Sequence, residues 1–175
     1  METVRIERDY GGADDLSGRL RCLWDDDCLY IVAEVRDNVF SHAQASPEVW
    51  AGDSVQLALR NGSMNKTKGY DGKEVEFAMG LSKEGPFVFK WLGGGAGETL
   101  RSSKINVKQD GNRTVYHAAV PWRELGFRKP GHGQRIPFSF TFNDNDGAGF
   151  HGWCEWTPGI CDGKDSSQFG WMILE

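Results

Sequence analysis

In the sequence DSVQLALR, residues Asp53–Arg60, large apolar side chains occupy every second position from Val55 to Leu59. Successive side chains of a β-strand point to opposite faces, so this pattern is typical of a strand that packs one face on a hydrophobic core. The apolar set, which we expect to face the core, is Val55, Leu57 and Leu59. The opposite, outward set is Ser54, Gln56 and Ala58.

Strand signals of this kind recur along the chain and are separated by turn residues such as Asp110-Gly111-Asn112. The other predicted strands are Gly18–Trp24, Cys28–Asp37, Lys73–Leu81, Pro86–Leu92, Arg101–Gln109, Arg113–Val120, Ile136–Asp144, Phe150–Thr157 and Gly170–Leu174. Only Pro121–Gly126, with an early proline and a final glycine, has the pattern of a short helix.

About ten strands and almost no helix predict an all-β fold, a two-sheet antiparallel β-sandwich of the immunoglobulin-like or jelly-roll-like kind. Its core should lie between the two sheets. The residues expected there are Val55, Leu57, Leu59, Phe77, Met79, Phe138, Phe140 and Phe142.

Length and composition fit one soluble domain covering residues 1–175, since no repeat or internal boundary is visible. The 23 glycines, 7 tryptophans and 10 phenylalanines suit a protein with many turns and strands. The net charge is −5, and the sequence contains no run of lysine and arginine, which argues against nucleic acid as a partner. No apolar run reaches membrane-spanning length, and no signal peptide is recognisable, so no membrane partner is expected.

Four cysteines occur, and none forms a C-x-x-C pair of the kind used by zinc sites. Cys22 and Cys28 flank the turn Asp25-Asp26-Asp27, so a local disulfide is one interpretation. Cys154 and Cys161 flank another turn. Four reduced thiols in or near the core are the other interpretation.

The sequence predicts no catalytic residues. The four histidines have no neighbours that form a catalytic triad, and no G-x-S-x-G segment occurs. Carboxylates are plentiful, but a glycosidase pair is defined by a separation in space rather than in sequence.

Side-chain oxygens are dense in Asn143-Asp144-Asn145-Asp146-Gly147, which follows a predicted strand. Calcium takes six to eight oxygen ligands, and loops rich in Asp and Asn supply them. One hypothesis is therefore a structural calcium ion held by Asp144 and Asp146 with Asp37 and Asp53. The alternative is an ordinary turn, because Asn and Asp side chains also bond their own backbone.

Tryptophans provide the candidates for ligand contact. Trp50 lies in a predicted loop just before the strand Asp53–Arg60, which makes it the best candidate for an exposed ring. Trp153 and Trp156 are three residues apart and fall on opposite faces of one strand, so both cannot be core residues. Most of the other tryptophans are expected to pack in the core.

Several segments, in the same order along the chain, resemble the family 9 carbohydrate-binding modules. Leu23-Trp24-Asp25 with Leu29-Tyr30-Ile31 and Val35-Arg36-Asp37 resembles their L-W-D-x-x-x-L-Y-V…V-x-D opening. The further matching segments are Trp50-Ala51-Gly52-Asp53-Ser54-Val55-Gln56, Ala119-Val120-Pro121-Trp122, Phe142-Asn143-Asp144, and Trp156 with Lys164-Asp165-Ser166-Ser167-Gln168-Phe169-Gly170.

The resemblance implies a β-sandwich of the broader DOMON-like kind, structural calcium, an extracellular setting, and sugar binding on behalf of an attached glycoside hydrolase. The family clamps a sugar between two tryptophans, of which Trp50 matches the first. Gly163 stands where the second is expected, Gln56 replaces a family Glu, and Ala78 replaces a family Arg. The family's opening I-D-G-x-x-x-x-x-W strand is not found.

The sequence thus predicts a non-catalytic carbohydrate-binding module whose site lies on the outward face of one sheet. Trp50 should border this site, and Gln56, Glu76 and Thr141 should supply its polar contacts. Two alternatives are a structural module that has lost sugar binding, and a haem-binding DOMON domain. The haem alternative would draw its ligands from Met64, Met79, Met172 and the histidines.

Overall fold

A computed structural model describes residues 5–7 and 11–175 of the protein, and within them the chain forms twelve β-strands. The strands are β1 (Arg5–Glu7), β2 (Leu16–Trp24), β3 (Cys28–Asp37), β4 (Ser54–Arg60), β5 (Glu74–Ser82), β6 (Gly85–Leu92), β7 (Glu98–Thr99), β8 (Lys104–Asp110), β9 (Arg113–Pro121), β10 (Arg135–Asn145), β11 (Phe150–Glu155) and β12 (Gly170–Ile173). The ten predicted strands are all present, and β1 and β7 are additional short strands.

The strands form two antiparallel sheets that pack face to face. The smaller sheet has the order β2-β3-β9-β8. The larger sheet has the order β1-β11-β10-β4-β5-β6-β7, and β12 pairs with β10 beside β11. The prediction of a two-sheet antiparallel sandwich is therefore confirmed.

Helix is limited to three single 3-10 turns in the described residues, at Val49–Ala51, Trp122–Leu125 and Ser166–Gln168. None of them could cross a membrane. The second turn is the predicted short helix. It ends at Gly126, whose φ of 76° is a left-handed conformation that glycine adopts without strain.

The core lies between the sheets, as the alternation predicted. All eight residues expected there are buried in one continuous cluster. On β10, the rings of Phe138, Phe140 and Phe142 follow one another at centroid distances of 5.9 and 5.6 Å. Side chains of the smaller sheet close the core from the other side, among them Leu29, Ile31 and Tyr116. Burial of this much apolar surface is the main source of stability.

Candidate functional site

The outer face of the larger sheet is covered at both ends of its strands and open between them. Residues 41–52 cover one end, and residues 156–169 cover the other. Between these two segments lies a cleft of about 510 Å³. We call it the aromatic trough, and its lining residues are Trp50, Gln56, Glu76, Trp91, Leu92, Asn143, Phe150, Trp153, Ile160, Cys161 and Lys164.

The first covering segment is anchored by a small apolar cluster on the outer face. Val49 is completely buried there against Ala78, Phe87 and Phe89. The indole Nε1 of Trp91 donates a hydrogen bond to the Pro47 carbonyl at 2.8 Å, which ties the segment to β6. Because Val49 points into the cluster, the next residue along the 3-10 turn points away from it.

Trp50 therefore stands at the edge of the trough, with 43% of its surface exposed. Its ring meets Phe150 edge to face at a centroid distance of 5.3 Å, and Phe150 in turn lies nearly parallel to Trp153 at 6.0 Å. A continuous aromatic wall results, and edge-to-face and offset contacts of this kind hold each ring in a defined orientation.

The second covering segment is anchored by Ile160 and Phe169, which pack on Ala58 of β4. Its turn is closed by Gly159, whose carbonyl accepts a hydrogen bond from the Asp165 amide at 3.0 Å. Burial opposes ionisation of Asp165, but hydrogen bonds from Ser167 and other donors outweigh it and lower the pKa of Asp165 to about 2. This carboxylate therefore holds the segment together as a charged acceptor over the working range of pH.

The floor of the trough is a chain of hydrogen-bonded polar side chains from three neighbouring strands. The Nε2 of Gln56 donates to Oε1 of Glu76 at 2.6 Å, and the Nδ2 of Asn143 donates to Oε1 of Gln56 at 3.2 Å. The Lys164 ammonium lies 2.5 Å from the same Glu76 oxygen. The trough therefore carries one anion and one cation that neutralise each other, above a fixed array of amide groups.

The other oxygen of Glu76 accepts a hydrogen bond from the Tyr70 hydroxyl at 3.0 Å. Burial, reinforced by the negative charge of Glu76, raises the pKa of Tyr70 well above its usual range. Tyr70 therefore remains a neutral donor, and both oxygens of Glu76 are engaged by partners of the protein itself.

Three of the four residues predicted to contact a ligand lie together in the trough, namely Trp50, Gln56 and Glu76. Thr141 does not line it. This residue pairs with Gln56 on the same face, but it is completely buried, and its hydroxyl lies 3.2 Å from the Cys154 carbonyl, which it reaches as a donor. The alternation of β10 predicted the correct face, whereas the segment of residues 156–169 that covers Thr141 could not be predicted from the sequence.

The placement of Thr141 predicts that Thr141→Val leaves saccharide affinity unchanged within about twofold. Removal of the hydroxyl loses one buried hydrogen bond, so the free energy of unfolding should fall by about 1 kcal/mol. Calorimetric titration and denaturant unfolding of the same variant measure the two effects. A large loss of affinity without a loss of stability would mean that Thr141 contacts the ligand after all.

Eight lining residues were not predicted as ligand contacts: Trp91, Leu92, Asn143, Phe150, Trp153, Ile160, Cys161 and Lys164. The clearest signal for them was the spacing of Trp153 and Trp156. The structure places these two rings on opposite faces, with Trp153 in the trough and Trp156 stacked on Phe140 in the core at 5.7 Å. Lys164 gave no signal, because its partner Glu76 is distant in sequence.

An acidic cluster lies beside the trough, where the segment before β4 meets the end of β10. Ligand atoms of Asp37, Asp53 and Asp144 lie within 4.8 Å of one another, and all three residues are buried. Asp146 is adjacent: one of its oxygens lies 3.4 Å from Nδ1 of His151. A second group with atoms within 4.8 Å joins Asp144 to Asp15 and His151.

Burial is the main cause of raised pKa values in this cluster, and mutual repulsion adds to it. The pKa of Asp53 is raised to about 9 and that of Asp144 to about 7, and the pKa of Asp37 is raised as well. Such a cluster costs stability when it ionises, unless a cation compensates its charge.

The cluster fits a hard divalent cation such as calcium. Within the described residues no hydrogen-bond donor reaches Oδ1 of Asp144 or Oδ1 of Asp146, although both atoms are buried. Buried polar atoms are nearly always satisfied, so these two carboxylate oxygens are suited to bind a cation. Grouped carboxylate oxygens are the ligands that calcium prefers.

The methionines and histidines considered for haem do not come together. Met79 and Met172 are buried in the core, whereas His42, His117 and His132 are exposed. The half-buried Met64 packs beside Ile160 and Phe169, whereas the half-buried His151 lies beside Asp146. The structure therefore gives no support to the haem alternative.

None of the four cysteines, all of which lie in the described part of the chain, forms a disulfide. Cys154 packs in the core between the sheets, whereas Cys161 lines the trough on the opposite side of the larger sheet. The two cannot bridge without a rearrangement. Burial raises the pKa of Cys161 to about 12, so this thiol contributes a neutral, apolar surface to the trough.

Comparison with known proteins decides the family. The family model described as "Carbohydrate family 9 binding domain-like" matches residues 2–175. The chain belongs to carbohydrate-binding module family 9. The resemblance of the sequence segments is thereby confirmed over nearly the whole chain.

Similar proteins include large enzymes. Endo-1,4-beta-xylanase A of Thermotoga neapolitana is 28% identical over 160 residues, which are 90% of this chain and 14% of that protein. Exoglucanase XynX of Acetivibrio thermocellus is 25% identical over 167 residues, which are 93% of this chain and 14% of that protein. This family 9 module thus spans about one seventh of the length of the curated relatives it matches.

Solved structures share the fold. A family 9 module from Caldicellulosiruptor kristjanssonii in complex with cellotriose has a TM-score of 0.71 and 22% identity, covering 97% of this chain and 80% of that one. The same kind of module in complex with glucose gives 0.72 and 21%, covering 100% and 84%. A protein from Bacteroides uniformis gives 0.65 and 11%, covering 99% and 85%.

Proposed function

We propose that this family 9 module binds a neutral plant-type polysaccharide in the aromatic trough and performs no chemistry on it. The observation that carries the proposal is the exposed Trp50 ring beside the hydrogen-bonded floor of Gln56, Glu76 and Asn143. A sugar ring offers apolar C–H faces together with hydroxyl groups at its edge. Aromatic rings pack on the C–H faces, and a few fixed polar groups form hydrogen bonds with the hydroxyl groups.

The charge distribution supports a neutral ligand. Lys164 is the cation of the trough, and it lies 2.5 Å from Glu76, so neither charge is left for an ionic group on the ligand. An acidic sugar would have to compete with Glu76 for the ammonium group. A neutral sugar can add hydroxyl contacts to both without breaking the pair.

A binding role without catalysis is supported by the number of carboxylates in the trough. Glycoside hydrolysis ordinarily needs two carboxyl groups, one on each side of the scissile bond. Among the trough-lining residues in the described part of the chain, Glu76 is the only carboxylate, and both of its oxygens are held by Gln56, Lys164 and Tyr70. Its position suits a hydrogen-bond acceptor rather than a proton donor.

The comparisons support glucan or xylan sugars as the ligand class. Related sequences occur in a xylanase and an exoglucanase, and the structural neighbours were solved with cellotriose and glucose. We propose that the full-length protein likewise joins this module to a glycoside hydrolase. We also propose that the protein works outside the cell, where such polymers are met.

We propose further that Asp37, Asp53 and Asp144, assisted by Asp146, hold a structural calcium ion. The ion would neutralise the buried carboxylates and fix the segment before β4. That segment includes Trp50. It is tied to the cluster by Asp53, whose carboxylate accepts hydrogen bonds from the backbone amides of Ser41 and Asn145. Calcium would therefore support the trough indirectly, by holding its first covering segment in place.

A structural module that has lost sugar binding is the second candidate, and the C-terminal segment favours it. Gly163, which stands where the family places its second clamping tryptophan, is exposed and offers no ring. A glycan array followed by calorimetric titration separates the two candidates. We expect weak binding of neutral β-linked glycans, with a Kd of about 1 mM. A domain that is folded and binds no glycan would support the structural role.

A further inference from the structure

The aromatic trough crosses the larger sheet instead of running along one strand. Its two covering segments lie over opposite ends of the strands, so the open space between them extends from strand to strand. At one side the trough ends on Trp153 of β11, and at the other side on Trp91 and Leu92 of β6. The strands between them are β10, β4 and β5.

The length of the trough follows from the strand order. β11 and β6 are separated by four strand intervals, and neighbouring strands lie about 4.8 Å apart, so the span is about 19 Å. A single sugar ring held beside Trp50 would leave most of this span unfilled. A linear chain of several sugars would occupy it.

Aromatic rings mark both ends of the span, and polar groups lie between them. On β11, the nearly parallel rings of Phe150 and Trp153 are half-buried and border the trough. On β6, the half-buried Trp91 ring is held by its hydrogen bond to Pro47. The intervening strands place Asn143, Gln56 and Glu76 in a row at the floor.

We propose that the trough binds a run of several consecutive sugars across the strands, with terminal contacts on Trp153 and Trp91 and a central contact on Trp50. This inference rests on the proposed function, because it assigns the form of the ligand at the same site. It also explains how the module could hold a sugar without a second clamping ring at Gly163. Trp153 and Trp91, at the two ends of the trough, take the place of the single ring that the family sets opposite Trp50.

The test is the dependence of affinity on ligand length. Calorimetric titration with glucose, cellobiose, cellotriose and cellotetraose, and with the matching xylose series, gives the affinity for each length. We expect affinity to rise with length by at least about tenfold from one sugar to four. Trp153→Ala should reduce affinity for the tetrasaccharide by about fivefold and leave affinity for the monosaccharide within about twofold.

Trp91→Phe tests the opposite end of the trough: it retains a ring beside Phe89 but removes the hydrogen bond to Pro47, so an unchanged monosaccharide affinity is needed to show that Trp50 stays in place. It should flatten the rise with length in the same way as Trp153→Ala. Tyr30→Ala is the matched control, because it removes an aromatic ring that is 37% exposed on the outer face of the smaller sheet. Melting temperatures of all variants show whether each one is folded.

The outcomes separate this inference from the proposed function. Equal affinity for one and four sugars would contradict the extended track while leaving sugar binding at Trp50 intact. A rise with length that neither Trp153→Ala nor Trp91→Phe reduces would place the longer ligand elsewhere and also contradict the inference. No binding of any saccharide by the folded wild-type chain would remove the proposed function itself, and the inference with it.

Discussion

Trp50→Ala should abolish measurable monosaccharide binding while leaving the protein folded. The indole is 43% exposed, and its neighbours in the 3-10 turn are anchored by Val49 rather than by the ring itself. Loss of a stacking ring should weaken binding by about tenfold, which moves an affinity near 1 mM beyond practical titration. The change in the free energy of unfolding should stay within about 1 kcal/mol, as for other partly exposed residues.

Titration calorimetry and denaturant unfolding of the same preparation measure both quantities. Tyr30→Ala again provides the control for general effects of removing a ring. If Trp50→Ala unfolds, the ring is a structural part of the first covering segment. If the variant is folded and binds as the wild type does, the ligand does not touch the edge of the trough that Trp50 forms.

Removal of calcium should lower the melting temperature by about 10 °C. A ligand bound only by the native state stabilises it by about 4 kcal/mol when its free concentration is a thousandfold above Kd. For a domain of this size, 1 kcal/mol corresponds to roughly 2–4 °C. Differential scanning calorimetry with excess calcium, and with a chelator, measures the difference.

The calcium effect should grow as the pH rises from about 5 to 9. The pKa of Asp53 is raised to about 9 in the folded chain and that of Asp144 to about 7, above the value near 3.8 expected when the chain is unfolded. Without a cation the folded state therefore binds more protons than the unfolded state, and its stability falls as the pH rises through this window. The proposed calcium ion would bind the deprotonated carboxylates and so would reverse this trend.

Asp53→Asn is the matched variant for the calcium prediction. The amide retains a similar shape but removes the charge that a cation needs, so its melting temperature should respond little to calcium or chelator. Magnesium added after chelation serves as a second control, because it demands a smaller, octahedral site. A wild-type melting temperature that does not change with chelator at either pH 5 or pH 8 would contradict the calcium proposal.

The sequence was sufficient for the sandwich and its core because strand alternation is a local signal. Phe138, Phe140 and Phe142 occupy every second position of one strand, so their common face could be predicted without knowing their partners. Trp50 could be placed because the family resemblance includes the residues around it. Its exposure follows from its position just before β4.

The outer face was harder to predict, because alternation says which side a residue faces and not what covers that side. Thr141 and Gln56 are paired neighbours on one face, yet only Gln56 reaches the trough. The difference arises from the segment of residues 156–169, which packs onto the sheet through contacts that are distant in sequence. Trp91 presents the same difficulty, since a register shift between β5 and β6 at Glu76 and Phe77 sets its position.

Only part of the acidic cluster could be predicted from the sequence. Asp144 and Asp146 lie in one dense turn, but Asp37 and Asp53 join them only when β3, β4 and β10 have assembled. Asp15 and His151, which form a second group with Asp144, were not predicted at all. Neither residue stands in a local pattern that indicates a cation.

We propose that sugar binds across the outer face of the larger sheet, in the aromatic trough. The indole Nε1–H signals in a two-dimensional NMR spectrum test it most directly, because the chain has seven tryptophans spread over both faces and the core. During titration with cellotetraose or xylotetraose, the signals of Trp50, Trp91 and Trp153 should shift together, while those of the core-packed Trp122 and Trp156 stay in place. Shifts confined to tryptophans outside the trough, with Trp50 unmoved, would contradict the account.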